Sequence, residues 1–229
     1  MKLSVIIPVY NEVSTIEEIL RRVKASPVDD MEVILIDDFS TDGTRELLRD
    51  KIEATVDKVV YLERNSGKGT ACRAGFAVAT GDIIIIQDAD LEYNPNEYPS
   101  LIEPILSDRA DVVYGSRFMG SGSHPVVEFW HRFGNRVITH VSNMFTDLGM
   151  SDVETCYKVF RRDVLDQIEL KEKRFAFDPE ITAKMSKLNV RVWEVPITYY
   201  RRSYAEGKKI GLRDAVRAIY AIIRYNLFS

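Results

Sequence analysis

The chain has 229 residues, 45% of them hydrophobic and 29% charged, which excludes a wholly disordered polymer and leaves ample apolar material for a buried core. Its net charge of −4 argues against a general nucleic-acid binder, and the charge is uneven: residues 1–100 carry 11 basic and 19 acidic side chains, residues 101–229 carry 20 and 16. Two cysteines, Cys72 and Cys156, without CxxC spacing exclude a disulfide framework and point to a reducing compartment.

In chain order, Leu3 to Pro8 is a β-branched run that predicts a strand, too short for the apolar core of a signal peptide. Ser14 to Lys24 has helical spacing, with Ile16, Ile19, Leu20 and Val23 on one face and Ser14 as the expected N-cap. Glu32 to Ile36 predicts a second strand ending at Asp37-Asp38, and Ser40 to Gly43 opens a helix expected to reach Ile52. Lys58 to Glu63 is a third strand, Gly69 to Ala79 a helix of small residues, and Asp82 to Gln87 a fourth, fully buried strand. Beyond Asp90 come a turn at Asn94 to Asn96, a helix from Tyr98 to Leu106 and a strand from Asp111 to Gly115. A glycine- and serine-rich loop at Gly120 to His124 leads into a long helix, Glu128 to Leu148. Strands are expected at 155–160 and 190–199, and an amphipathic helix from Asp214 to Phe228. Neither a repeat nor a linker interrupts this order, so one domain over 1–229 is expected, its first half 1–110, its second 111–211 and its terminal helix 212–229. No segment approaches the roughly 18 apolar residues of a membrane span, so a soluble or peripheral chain is expected.

Alternating strands and helices joined by short loops imply a mostly parallel sheet covered by helices, with ligands at the carboxyl ends of the strands. Those ends carry Pro8-Val9-Tyr10-Asn11-Glu12, Asp37-Asp38 and Asp88-Ala89-Asp90, a polar and acidic rim suited to a nucleotide and a metal. In Asp88-Ala89-Asp90 the alternate carboxylates point the same way and reach one hard cation, and Glu92 continues the spacing. Of Asp37 and Asp38, one is expected to cap the following helix and the other to bind a base or ribose. Asn65-Ser66-Gly67-Lys68-Gly69-Thr70 lacks the first glycine and the final GK[ST] of a Walker A loop, which removes the ATPase reading. Lys68 at a helix start faces either phosphate or nothing beyond a structural turn. His124, His131 and His140 are too scattered for a metal site.

Three segments, Val5 to Glu12, Ile36 to Thr44 and Gln87 to Tyr93, resemble family 2 of the inverting glycosyltransferases. Tyr114-Gly115-Ser116-Arg117-Phe118, Ser151 to Phe160 and Val195-Pro196-Ile197-Thr198 are similar to the polyprenyl-phosphate sugar transferases within it, the dolichol-phosphate mannose synthases and polyprenyl-phosphate glucosyltransferases. The resemblance runs from Lys2 to about Ile210. It implies an α/β GT-A fold with a Rossmann-like, mostly parallel central sheet, and a hexose transfer from GDP-mannose or UDP-glucose to a dolichyl or undecaprenyl phosphate with inversion. By position, Pro8, Tyr10, Glu12, Asp37, Asp38, Lys68 and Ala89 would line the donor. Asp88, Asp90 and Glu92 would surround Mg²⁺ or Mn²⁺, Arg117 would bind the acceptor phosphate, and Arg202 and Lys208 would clamp the donor diphosphate. Asp90, Arg117 and Arg202 are the expected catalytic residues. Ala205-Glu206-Gly207-Lys208-Lys209 departs from the Gly-Glu-Ser-Lys form of mannose synthases and tilts the donor towards a UDP-sugar.

The chemistry is consistent with that role. A lipid phosphate oxygen is already anionic near neutral pH, so the site needs cations that hold two repelling phosphorylated reactants in line, and not a Ser-His-Asp triad. The alternative is a family 2 enzyme acting on a sugar hydroxyl in polysaccharide or glycolipid synthesis, with Asp152, Glu154, Asp178 or Glu180 as base. A binding module without turnover is the third reading. Aromatics and arginines alternate in Phe129 to Arg136, and the last helix sets Ile219, Ile222, Ile223, Leu227 and Phe228 beside Arg217 and Arg224. Both suit a membrane surface or a membrane-protein partner, or else simple packing on the core. The expected location is cytoplasmic, peripheral on the cytoplasmic membrane face.

Overall fold

The computed structural model describes residues 1–120, 129–201 and 212–228. Seven strands form one sheet in the order β3-β2-β1-β4-β6-β5-β7. They are β1 (Leu3–Val9), β2 (Met31–Asp37), β3 (Lys58–Tyr61), β4 (Ile83–Ile86), β5 (Val112–Ser116), β6 (Lys158–Arg161) and β7 (Val192–Pro196). All run parallel except β6, which is antiparallel to β4 and β5. Ile6 sits centrally, paired with Ile34 on one side and Ile86 on the other.

The strands run apolar because helices cover both faces. Each isoleucine of β4 is at most 1% exposed, and burying each contributes about 2 kcal/mol. The helices are α1 (Ile16–Lys24), α2 (Thr44–Leu47), α3 (Lys68–Val78), α4 (Tyr98–Leu106), α5 (Phe129–Thr146), α6 (Arg162–Leu165), α7 (Phe177–Met185) and α8 (Leu212–Leu227). Gly75 in α3 lies against Ile6 and Ile36 so closely that an added Cβ would sit 2.4 Å from the Ile6 Cγ2, which explains the small residues of that helix.

Several boundaries differ from expectation. α1 starts after Thr15, not Ser14, and the Thr15 hydroxyl turns back to the Glu12 carboxylate at 2.9 Å. The second helix starts only at Thr44, because Gly43 first takes a left-handed turn at φ 98°, and it passes into a π turn over Leu48–Ile52 that buries both end residues. Strands expected at 155–160 and 190–199 are shorter, β6 and β7. The expected loop Gly120 to His124 lies, past Gly120, outside the described residues. α7 was not expected at all. Phe177 to Ala183 are buried on every side, including Asp178 and Glu180, so no amphipathic stripe betrays it.

Candidate active site

A cavity of about 410 Å³ opens at the carboxyl ends of β1, β2 and β4 and extends towards β5. Its acidic wall grows out of strand ends. Asp38 follows β2 and lines the cavity; its Oδ1 and Oδ2 accept the Ser66 and Gly67 N–H groups, each at 2.7 Å. Burial pushes this carboxyl above its ordinary range against the pull of those two N–H groups. Asp37 does not line the cavity. It is fully buried, its Oδ1 accepts the Ser40 N–H at 3.2 Å, and Arg45 lies 3.2 Å from its Oδ2. The two neighbours thus divide between holding the turn and facing the ligand space. Hydrogen bonds stitch the loops after β1 and β2 together, from Asn11 N–H to Ser40 Oγ at 3.0 Å and from Thr41 N–H to Asn11 Oδ1 at 2.8 Å. Pro8, Tyr10 and Glu12 line the cavity from the first of these loops.

Asp88, Ala89, Asp90 and Glu92 form the floor. Beneath them Gln87 is fully buried, and its Oε1 accepts hydrogen bonds from Tyr98 and Tyr157 at 2.7 and 2.8 Å, which anchors the exit of β4. Lys68, the first residue of α3, reaches Asp88 Oδ1 at 2.6 Å. Burial opposes the charged amine, but Asp88 together with Asp178 and the neighbouring cysteines holds the ammonium above its usual range. Asp90 Oδ1 accepts the Glu92 N–H at 3.0 Å, and Glu92 Oε2 accepts the Tyr199 hydroxyl at 2.9 Å. Among the described residues no three His, Cys, Asp or Glu side chains gather as a metal cage, so Asp88, Asp90 and Glu92 are not assembled into one. Two cavity-facing carboxylates still suit Mg²⁺ or Mn²⁺, which commonly takes one or two protein carboxylates and completes its shell with substrate phosphates and water.

Gly67 and Gly69 owe their presence to packing. An added Cβ would lie 2.5 Å from the Lys173 carbonyl at Gly67 and 2.6 Å from the Glu172 carbonyl at Gly69. That close approach brings Arg174 and Phe175 into the cavity wall, residues that carried no signal in the sequence beyond a charged run.

The opposite wall holds its charge in pairs. Arg117 follows β5, with its side chain 7% exposed, and binds Asp152 through Nε at 2.7 Å and Nη2 at 2.8 Å. Burial pushes Asp152 up, yet Arg117 holds it below the ordinary carboxylate range. Arg117 also lies over the Tyr199 ring, 5.2 Å from its centroid. Lys158 and Asp178 form a second pair at 2.5 Å, with the lysine fully buried. Glu154, which the sequence offers only as a candidate base for a hydroxyl acceptor, lines the same wall with Tyr93 and Cys156, which the sequence does not mark as ligand contacts. Arg202 and Lys208, the expected diphosphate clamp, lie outside the described residues.

Fold and site define a GT-A protein, a sheet whose acidic strand ends face a basic second half. The chain belongs to glycosyl transferase family 2, whose profile it matches over residues 4–169. It is 32% identical to an undecaprenyl-phosphate 4-deoxy-4-formamido-L-arabinose transferase from Aeromonas hydrophila, over 96% of this chain and 66% of that protein. It is also 32% identical to the transferase of the same name from Klebsiella pneumoniae, over 90% of this chain and 62% of that protein. The chain therefore spans just under two thirds of these relatives. Among solved structures, it is similar to glucosyl-3-phosphoglycerate synthase from Mycobacterium tuberculosis, crystallised with Mn²⁺, UDP and glucosyl-3-phosphoglycerate. The TM-score is 0.75 at 19% identity, covering 98% of this chain and 80% of that one. S. aureus TarS residues 1–349 in complex with UDP gives 0.65 at 24% identity, covering 100% and 67%. These two likenesses concern the fold.

Proposed function

We propose that the chain, read as one catalytic unit, transfers a hexose or related sugar from a nucleotide sugar to a polyprenyl phosphate with inversion at the anomeric carbon. One observation carries this reading: a single cavity sets the strand-end carboxylates Asp38, Asp88 and Asp90 opposite the buried guanidinium of Arg117. The names of the 32% identical relatives support a lipid phosphate acceptor, and the UDP complexes of the fold neighbours support a uridine nucleotide over GDP.

Asp38, Tyr10 and Pro8 would receive the nucleoside, with Asp38 already held by the Ser66 and Gly67 N–H groups. Asp88 and Asp90 would hold the Mg²⁺ or Mn²⁺, which when bound neutralises charge on the leaving diphosphate. Lys68 adds a cation on the same side, and Arg202 and Lys208 are proposed to close over the diphosphate. Arg117 would orient the acceptor phosphate through Nη1, the amino group that its bidentate pair with Asp152 leaves unused. The acceptor oxygen attacks the anomeric carbon as the bond to the diphosphate breaks, and the electron pair leaves with the nucleoside diphosphate. The anionic phosphate needs no base.

A membrane-bound acceptor makes a surface role for α5 and α8 part of this proposal. Phe129, Trp130 and Phe133 are 70%, 75% and 51% exposed and pack on one another beside the exposed Arg132 and Arg136. In α8 the expected apolar face divides. Ala218 and Ile222 are buried against Ile138 of α5, while Val216, Tyr220, Ile223 and Leu227 face outward. Arg217 is tied to Glu172 at 3.0 Å. Among the described residues no helix is long and apolar enough to cross a membrane. We place the outward face on the anionic cytoplasmic surface of the membrane, alone or with a membrane-bound partner.

The test is transfer of radiolabelled sugar to a short polyprenyl phosphate, with UDP-glucose and GDP-mannose in parallel, in Mg²⁺ or Mn²⁺ and in EDTA. Metal-dependent label in the lipid phase is the expected result. Label on a hydroxyl acceptor and none on lipid phosphate would overturn the acceptor.

A further inference from the structure

Four carboxylates of the second half are candidates for the base of a hydroxyl-acceptor enzyme, and three are committed. Asp152 accepts from Arg117 and from the Asn135 amide at 2.9 Å. Asp178 accepts from Lys158. Glu180 is fully buried outside the cavity wall, where it accepts the Lys171 and Glu172 N–H groups, each at 2.7 Å, and the Lys184 ammonium. Glu154 differs. It lines the cavity, yet its Oε1 is buried and has no hydrogen-bond partner.

A buried carboxyl oxygen left unpaired is unfavourable unless something polar arrives to meet it. The chemistry of that visitor follows from the neighbours. Phosphate is a poor match, because Arg117 on the same wall already supplies the phosphate cation and an ionised Glu154 would repel the anion. A cation is a poor match, because the positive charges of Lys158 and Arg117 already act on this carboxyl. A sugar hydroxyl, both donor and acceptor, fits. So does the position: in a reaction that runs from a diphosphate over Asp88 and Asp90 to a phosphate at Arg117, the transferred ring lies between the two walls.

We propose that Glu154 recognises the transferred sugar through its hydroxyls, a contact made to the ring and to neither the nucleotide nor the acceptor. The assignment rests on the nucleotide-sugar donor proposed above. Burial first, then the charge of Asp178, lifts the Glu154 carboxyl to about 7, with Lys158 and Arg117 pulling the other way. At neutral pH a large share is therefore protonated and able to donate as well as accept.

Titration calorimetry on the full chain with Mn²⁺ separates the parts, using UDP, UDP-glucose, GDP and GDP-mannose as probes. Glu154→Ala is expected to weaken the nucleotide sugar that the wild type binds by about tenfold or more, while the matching nucleoside diphosphate changes less than about twofold. The near-isosteric Glu154→Gln, which keeps both a donor and an acceptor, is expected to retain most of the affinity, and unchanged thermal melts confirm folding. Equal losses for sugar-bearing and sugar-free nucleotides in folded variants, or no loss in either, overturn the assignment. A wild type that binds none of the four probes overturns the donor itself, and the role of Glu154 with it.

Discussion

Two buried charge clusters, one from each half of the sheet, stand in different places relative to the ligand space. In the first half the cluster around Glu32 sits at the amino ends of the strands, far along the sheet from the ligand space. Glu32 at the start of β2 is 5% exposed; its carboxylate accepts the Ser4 hydroxyl at 2.5 Å, the Thr80 N–H at 2.6 Å and the Lys2 ammonium at 2.8 Å. At the carboxyl ends Asp38, Asp88 and Asp90 face the cavity, while Asp37 turns inward to Arg45. In the second half, the Arg117–Asp152 and Lys158–Asp178 pairs bring Arg117 and Asp178 into the cavity wall itself. At Glu32 stability is separate from ligand binding, and at Arg117 and Asp178 the two merge.

The largest effect should come from the separated side. Asp90→Asn is expected to lower transfer about a thousandfold or more while the melting temperature stays near that of the wild type. Unchanged transfer would remove Asp90 from the chemistry. Arg117→Ala should strike both properties at once, because it strands Asp152 in the interior. A loss of about 3–5 kcal/mol in urea unfolding is expected, together with a larger defect in acceptor use than in donor binding. An Arg117→Ala protein as stable as the wild type would break the contrast between the halves.

Glu32→Gln sharpens it from the other end, with an expected cost of about 1–3 kcal/mol and little change in transfer per folded molecule. Burial raises the Glu32 carboxyl, but hydrogen bonds from Lys2, Ser4 and Thr80 outweigh it and hold it at about 2, against 4.5 for an ordinary glutamate. The folded state therefore binds fewer protons than the unfolded one between those values. The contribution of Glu32 is present above pH 4.5 and is lost as the pH falls through about 2. Unfolding midpoints followed from pH 6 to pH 3 should fall less steeply in Glu32→Gln. The smallest expected effect on stability is that of Trp130→Ser, within about 0.5 kcal/mol. The same change should reduce flotation with anionic liposomes, and undiminished flotation would remove the α5 face from the membrane surface.

Legibility followed the same division. β1, β2 and β4 announce themselves because a strand covered on both faces is continuously apolar, and the residues just past such strands are placed by chain geometry alone. Asp38, Asp88 and Asp90 therefore stand at the cavity without any long-range information. α7 was hidden by the reverse situation: a helix buried all round, with Asp178 and Glu180 inside, has no polar face to mark its period.

The sequence by itself determined the order of the strands and of every helix except α6 and α7, the acidic rim of the first half and the family, since each depends on local periodicity or on contiguous motifs. Only the tertiary structure decided which charges are committed. Asp37 and Asp38 are adjacent in the chain, yet one turns to Arg45 and the other to the cavity. Asp152 and Glu154 are two residues apart, yet one is locked to Arg117 and the other keeps an unpartnered oxygen. The reason is physical: a buried charge is stable only beside its counter-charge, and that partner lies 35 positions away for Asp152 and 20 for Asp178.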